Sequence, residues 1–210
     1  MRREQSGGEE IANAVSHGVG ALASLAAGAA LVVHAAQQGK PTQLVGASVF
    51  ATSLVLLYLG SCLYHALPRG RGKRVFRVLE HSGIYVLIAG TYTPFTLGAL
   101  RGRWGWTLLC AIWALAIVGV VLKATIGFRY PAASTMLYLA MGWLILVAVR
   151  PVWLHVAPAG IAWLVAGGLA YTTGVAFYAA GRLRFGHFVW HLLVLLGSAC
   201  HFVAVMRYAA

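Results

Sequence analysis

A chain of 210 residues that is 60% hydrophobic and only 10% charged cannot cover a water-facing surface, because ordinary soluble domains carry about a quarter charged residues. Four acids stand against a net charge of +12, and the mean hydropathy is +0.80. The composition excludes an ordinary soluble enzyme and points to an all-α polytopic membrane protein.

Apolar runs of about 20 residues mark membrane spans. Seven are predicted, at roughly 13–35, 42–66, 78–99, 104–123, 133–150, 159–180 and 186–207, making residues 1–210 one seven-helix domain. The first span opens with Asn13, Ser16 and His17. Glu9 and Glu10 precede it where a signal peptide would be positive, so no cleaved leader is expected. The second span ends with Ser61 and His65. The segment RGRGKRVFR, residues 69–77, follows it and holds five of the sixteen cations.

The third span begins with Glu80, His81 and Ser82, and Pro94 after Thr93 is predicted to kink it. The Thr91 and Thr93 hydroxyls are expected as structural partners there. Trp104, Trp106, Trp153 and Tyr208 fit interfacial belts. Glycines 18, 20 and 28 in the first span, and 167, 168 and 174 in the sixth, suit close helix approach. Cys62, Cys110 and Cys200 fall in three separate spans, so unreactive thiols are expected rather than a disulfide framework. The seventh span opens with His187 and His191 and carries His201 further along.

Charge placement orients the bundle. With the N-terminus in the cytoplasm, eleven cations face that side: Arg2, Arg3, the five of 69–77, Lys123, Arg129, Arg182 and Arg184. Lys40, Arg101, Arg103, Arg150 and Arg207 face the other. The positive-inside rule then predicts a cytoplasmic N-terminus and an external C-terminus. The basic loop is expected to lie on anionic lipid headgroups, and no nucleic-acid partner is expected.

Ionisable groups inside spans are costly and tend to mark function. Successive spans run in opposite directions, so starts of odd spans and ends of even ones share a membrane face. Asn13, Ser16, His17, Ser61, His65, Glu80, His187 and His191 are therefore predicted at one depth. His187 and His191 are one helical turn apart, as are Ser61 and His65, so each pair shares a face. A His-x-x-x-His pair with a third imidazole from another helix is the donor set of a zinc site that keeps a fourth position open. Glu80 is the intramembrane carboxylate available to accept a proton. His17 is expected to hydrogen-bond within the layer, with a fourth metal ligand as the other reading, and Asn13 to hydrogen-bond across helices. His81 is expected to face elsewhere, and His34 and His155 to sit near the opposite face. His201 lies about 15 Å beyond His191 along the helix and cannot join the same ion.

EEIANAVSHGVG at 9–20, SCLYHAL at 61–67, LEHSGIYVLIAGTYTPF at 79–95 and GHFVWHLL at 186–193 together resemble the hemolysin III family. That family is the bacterial branch of the progestin and adipoQ receptor superfamily. The resemblance implies seven helices, a cytoplasmic N-terminus and location in the bacterial inner membrane. It implies zinc on His65, His187 and His191, with Ser61 as the motif serine. The family's aspartate beside the zinc's water falls on Glu80, a departure whose extra methylene can shift the carboxylate by more than about 1 Å. Glu80 is expected to orient that water; direct ligation and loss of hydrolysis are the other readings.

Function follows in three versions. The leading one is a zinc-dependent hydrolase of a lipid amide or ester with a role in membrane lipid homeostasis, with Glu80 and Ser61 as its catalytic pair. The second is a non-enzymatic regulator or receptor with a structural zinc. The third is a cytolytic pore, which finds no polar stripe running the length of several spans.

Overall fold

Alternating short loops and long apolar runs leave the backbone one way to satisfy its polar groups in hydrocarbon, which is within helices. The computed structural model describes residues 3–209; Met1, Arg2 and Ala210 lie outside the described residues, and with them Arg2's place in the charge count. Helices α1 (Gly7–Gln37), α2 (Pro41–Ala66), α3 (Arg71–Leu97) and α4 (Arg103–Thr125) come first. They are followed by α5 (Pro131–Gly142), a 3-10 turn (Leu144–Ala148), α6 (Val149–His155), α7 (Pro158–Ala179) and α8 (Gly186–Tyr208). No strand occurs among the described residues.

Among the described residues, six helical segments are long and apolar enough to cross a membrane: α1, α2, α4, Pro131–His155, α7 and α8. The helix of the remaining expected span, α3, has 27 residues, but Arg71, Lys73, Arg74, Arg77 and Glu80 load its first turns. It packs between α2 and α4, and α1 touches α8 as well as α2.

The helices are turned polar side inward. Asn13, Ser16, His17, Gly20, Ser24 and Gly28 form the buried face of α1, while Ile11, Val15, Val19 and Leu22 face out. Leu22 is 70% and Trp153 69% exposed, an arrangement that lipid rewards and water penalises. The chain is a multi-pass membrane protein. Phe50, Leu54, Leu57, Tyr58 and Leu87 pack in the main core, and Tyr85, Tyr92, Ile112 and Met141 form a smaller one.

Pro94 stays inside α3 as expected, and α2 comes against it at Gly46. A Cβ at position 46 would stand 2.7 Å from the Pro94 Cα, so only glycine permits this crossing. Thr91 and Thr93 donate to the Leu87 and Ala89 carbonyls, each at 2.8 Å. Thr93 also accepts from Trp113 Nε1 at 3.1 Å, joining α3 to α4.

The fifth expected span is not one helix. It breaks at the 3-10 turn between α5 and α6, and Tyr92 of α3 supports the break. The Tyr92 hydroxyl donates to the carbonyls of Met141 (2.9 Å) and Gly142 (3.0 Å) and accepts the Ile145 N–H (2.9 Å). A broken helix is tolerated in a membrane when a neighbour satisfies the freed backbone in this way.

Candidate metal centre

Parity and periodicity predict one polar layer, and the structure gathers it. His65 from α2, Glu80 from α3, and His187 and His191 from α8 each offer one ligand atom, all within 4.8 Å of one another. Ring centroids are 5.1 Å apart for His65 and His187, 5.0 Å for His65 and His191, and 4.6 Å for His187 and His191. His65, Glu80 and His191 are buried and His187 is half-buried.

The outer hydrogen bonds determine which nitrogens face the centre. Glu10 Oε2 lies 2.8 Å from His65 Nδ1. A carboxylate oxygen accepts, so Nδ1 carries the proton and Nε2 turns inward. His191 Nδ1 sits 3.3 Å from both the Asn13 carbonyl and Ser16 Oγ. The Ser16 hydroxyl itself donates to the Asn13 carbonyl at 2.9 Å, so its lone pair faces His191. Nδ1–H of His191 is thereby occupied, and its Nε2 is left for the centre. Partners of this kind fix tautomer and ring direction for metal ligation.

Ser61, fully buried, donates to Glu80 Oε1 at 2.6 Å. The same oxygen is 3.4 Å from His65 Nε2. Glu80 Oε2 lies 3.3 Å from His81 Nδ1, but the proton of that nitrogen goes to the Arg77 carbonyl at 2.9 Å. His65 Nε2 and Glu80 Oε2 are buried with no hydrogen-bond partner among the described residues. Acceptor atoms from three helices thus crowd together, and only a proton or a cation between them relieves their mutual repulsion. That donor set fits a metal ion. A cavity of about 40 Å³ adjoins it, lined by Glu80, His81, Ile84, Tyr138, Tyr178 and His187 among others. It has room for a water molecule or a small polar group.

The remaining histidines divide. His17, expected to hydrogen-bond in the layer, instead stacks on His191, with centroids 3.5 Å apart and planes 7° from parallel. It also stands edge-on to Tyr58 at 5.0 Å, and neither of its ring nitrogens finds a hydrogen-bond partner among the described residues. His81, expected to face elsewhere, instead edges the centre: its Nδ1 lies 3.3 Å from Glu80 Oε2 and it lines the adjoining cavity, while its N–H goes to the Arg77 carbonyl and its ring meets Phe128. The Asn13 side chain reaches Gln5 Oε1 at 2.8 Å rather than another helix. His34 and His155 are exposed. His201 is buried away from the centre, donating to the Gly197 carbonyl at 2.9 Å and stacking on Tyr171.

The role of the acids at the start of α1 was missed. Ser6 and Glu9 form a reciprocal capping box. Glu9 also pairs with Arg3 and accepts the Phe185 N–H at 2.8 Å, just before α8. Glu10 holds His65 and pairs with Lys73 at 3.1 Å. Two sequence signals carry this: Ser-x-x-Glu at residues 6–9, and Glu10, Asn13 and His17 on one helical face.

Residues 6–202 match the family model described as "Haemolysin-III related". Similar proteins include "Hemolysin-3" of Bacillus cereus, 46% identical over 95% of this chain and 91% of its own length. "Hemolysin-3 homolog" of Bacillus subtilis (strain 168) is 44% identical over 95% and 94%. More distant is "Monocyte to macrophage differentiation factor" of Homo sapiens, 26% identical over 78% of this chain and 70% of its own. No solved structure matches.

Proposed function

The chain belongs to the haemolysin-III related family, and on that premise we propose that it is a zinc-dependent hydrolase of a lipid amide or ester in the bacterial inner membrane. In this reading seven helices cross the bilayer, α3 included, with the N-terminus in the cytoplasm. The observation that carries the reading is the convergence of His65, His187, His191 and Glu80, with the inward direction of His65 and His191 fixed by hydrogen bonds behind them. Three imidazoles from two helices suit zinc better than magnesium or calcium, which prefer oxygen ligands.

Zinc, when bound, supplies a Lewis acid that polarises a carbonyl and makes a water easier to deprotonate. The chain's own residues do the rest. Glu80 is placed to take up a proton, since Oε1 is held by Ser61 at 2.6 Å while Oε2 keeps a free acceptor site. Ser61 is a positioning residue in this scheme, because its hydroxyl is spent on the carboxylate. His65, His187 and His191 hold the ion. The cavity against Glu80 and His187 admits the group to be cleaved, and the apolar walls formed by Ile84 and Val175 keep bulk water away. Lipid is the substrate class because the site opens among membrane helices, at the depth of the cytoplasmic headgroups.

The test is metal analysis of purified protein, followed by incubation of the zinc-loaded form with a panel of ceramides and phospholipids. Roughly one zinc per chain and a released fatty acid, both lost in His187→Ala, are expected. A zinc-loaded protein inert across the panel would remove the hydrolase reading and leave a structural metal tying α2 to α8.

A further inference from the structure

The first turns of α1 contribute no ligand to the four-residue cluster, yet they touch both helices that carry its histidines. Adjacent carboxylates point in different directions. Glu9 accepts the N–H of Phe185, whose φ of 57° places it in the left-handed region that non-glycine residues seldom adopt. That residue immediately precedes α8, so Glu9 sets where His187 and His191 begin. Glu10 accepts the hydrogen bond from Nδ1–H of His65 and is itself held by Lys73 from α3. One turn on, the Asn13 carbonyl faces His191 Nδ1.

We infer that Glu10 is a positioning residue for the metal, and that the Glu9–Asn13 turn of α1 is the outer support of the whole centre. This rests on the zinc reading above. Three properties argue for more than an ordinary ion pair. The His65 side chain is 1% exposed while that of Glu10 is 28% exposed, so the pair joins the buried ring to the cytoplasmic mouth. The contact is made through the one ring nitrogen that must carry the proton if the other is to bind an ion. Lys73 meets the same Oε2 oxygen of Glu10 at 3.1 Å, so α3 fixes the carboxylate that holds His65. Removing such outer partners typically costs 10–100-fold in metal affinity elsewhere.

The experiment measures Zn²⁺ affinity of the full-length protein in nanodiscs by competition with a chromophoric chelator, for wild type, Glu10→Ala, Glu10→Gln and Lys73→Ala. Glu10→Ala is expected to bind roughly 10–100-fold more weakly. Glu10→Gln keeps an acceptor oxygen for Nδ1–H and should recover part of the loss; Lys73→Ala should lose only a few-fold. Co²⁺ spectra of wild type and Glu10→Gln should show the same donor set, because Glu10 is not a ligand. If Glu10→Ala does not fold, the comparison of Glu10→Gln with wild type decides, with weaker binding expected. Glu10 variants that bind Zn²⁺ like wild type, even with lowered thermal stability, overturn the inference alone. A wild type that takes up no Zn²⁺ overturns the zinc reading beneath it.

Discussion

Tyr92→Phe removes one hydroxyl from the smaller core, and its cost can be worked from the contacts. That hydroxyl serves three backbone groups at the break between α5 and α6: the carbonyls of Met141 and Gly142 and the N–H of Ile145. Tyr92 is 8% exposed and packs with Ile112 and Met141, so water does not replace the lost bonds. A buried group left unpaired costs about 1–3 kcal/mol. With the Ile145 N–H stranded and two carbonyls weakened, the loss comes to about 3 kcal/mol. Side-chain hydrogen bonds between membrane helices average only about 0.6 kcal/mol, because groups in the unfolded state find other partners. The larger figure holds here because the backbone of a broken helix has no such alternative. For a chain of this size, about 3 kcal/mol lowers the melting temperature by roughly 6–12 °C. Tyr171→Phe is the comparison, since Ser198 keeps its bond from Tyr58 at 2.6 Å and the shift should be about 1–3 °C. Thermal unfolding in detergent, followed by circular dichroism, reads both. Equal shifts for the two variants would refute the claim that Tyr92 supports the break.

Three further outcomes are expected. Gly46→Ala should destabilise by about 1–3 kcal/mol because its Cβ meets Pro94 backbone, whereas Gly60→Ala, with nothing within 4 Å, should be neutral or stabilising; unfolding midpoints of the pair decide. On the proposed hydrolase reading, Ser61→Ala should slow lipid turnover while leaving Zn²⁺ affinity within a few-fold, which separates positioning of Glu80 from metal binding. On the zinc reading, removing zinc with a chelator should lower the melting temperature and adding zinc back should restore it; an unchanged melting temperature would mean that no ion ties α2 to α8.

The convergence of His65, Glu80, His187 and His191 was legible because it depends on local facts, namely helical period and the direction in which each span runs. His201 was set aside correctly for the same reason. The break in the fifth span was not legible, since what permits it is a hydroxyl from α3, fifty residues earlier in the chain. Helical period puts His17 in the layer without saying whether it meets a hydrogen-bond acceptor or a ring, and in the structure it meets the His191 ring. Glu9 and Glu10 enter the sequence reading as charges ahead of an apolar run and as the start of a family motif, with no structural partner assigned, and the helix extends through them to Gly7, before the predicted span start at 13. The capping box was visible, but the partners of these carboxylates lie 55 and 176 residues away.

The contact between α1 and α8 bears on how the protein is made. Helices enter the membrane in the order of synthesis, so Asn13, His17, His65 and Glu80 are in the bilayer long before His187 and His191 exist. Throughout that interval the early helices hold ionisable groups that the finished site would neutralise. Those groups lie toward one end of their helices, where water and lipid phosphates can solvate them. The final helix therefore completes the bundle and the centre in one event. A ribosome stalled before Gly186 would leave a membrane-inserted chain with His65 and Glu80 but without His187 and His191, half of the four-residue cluster.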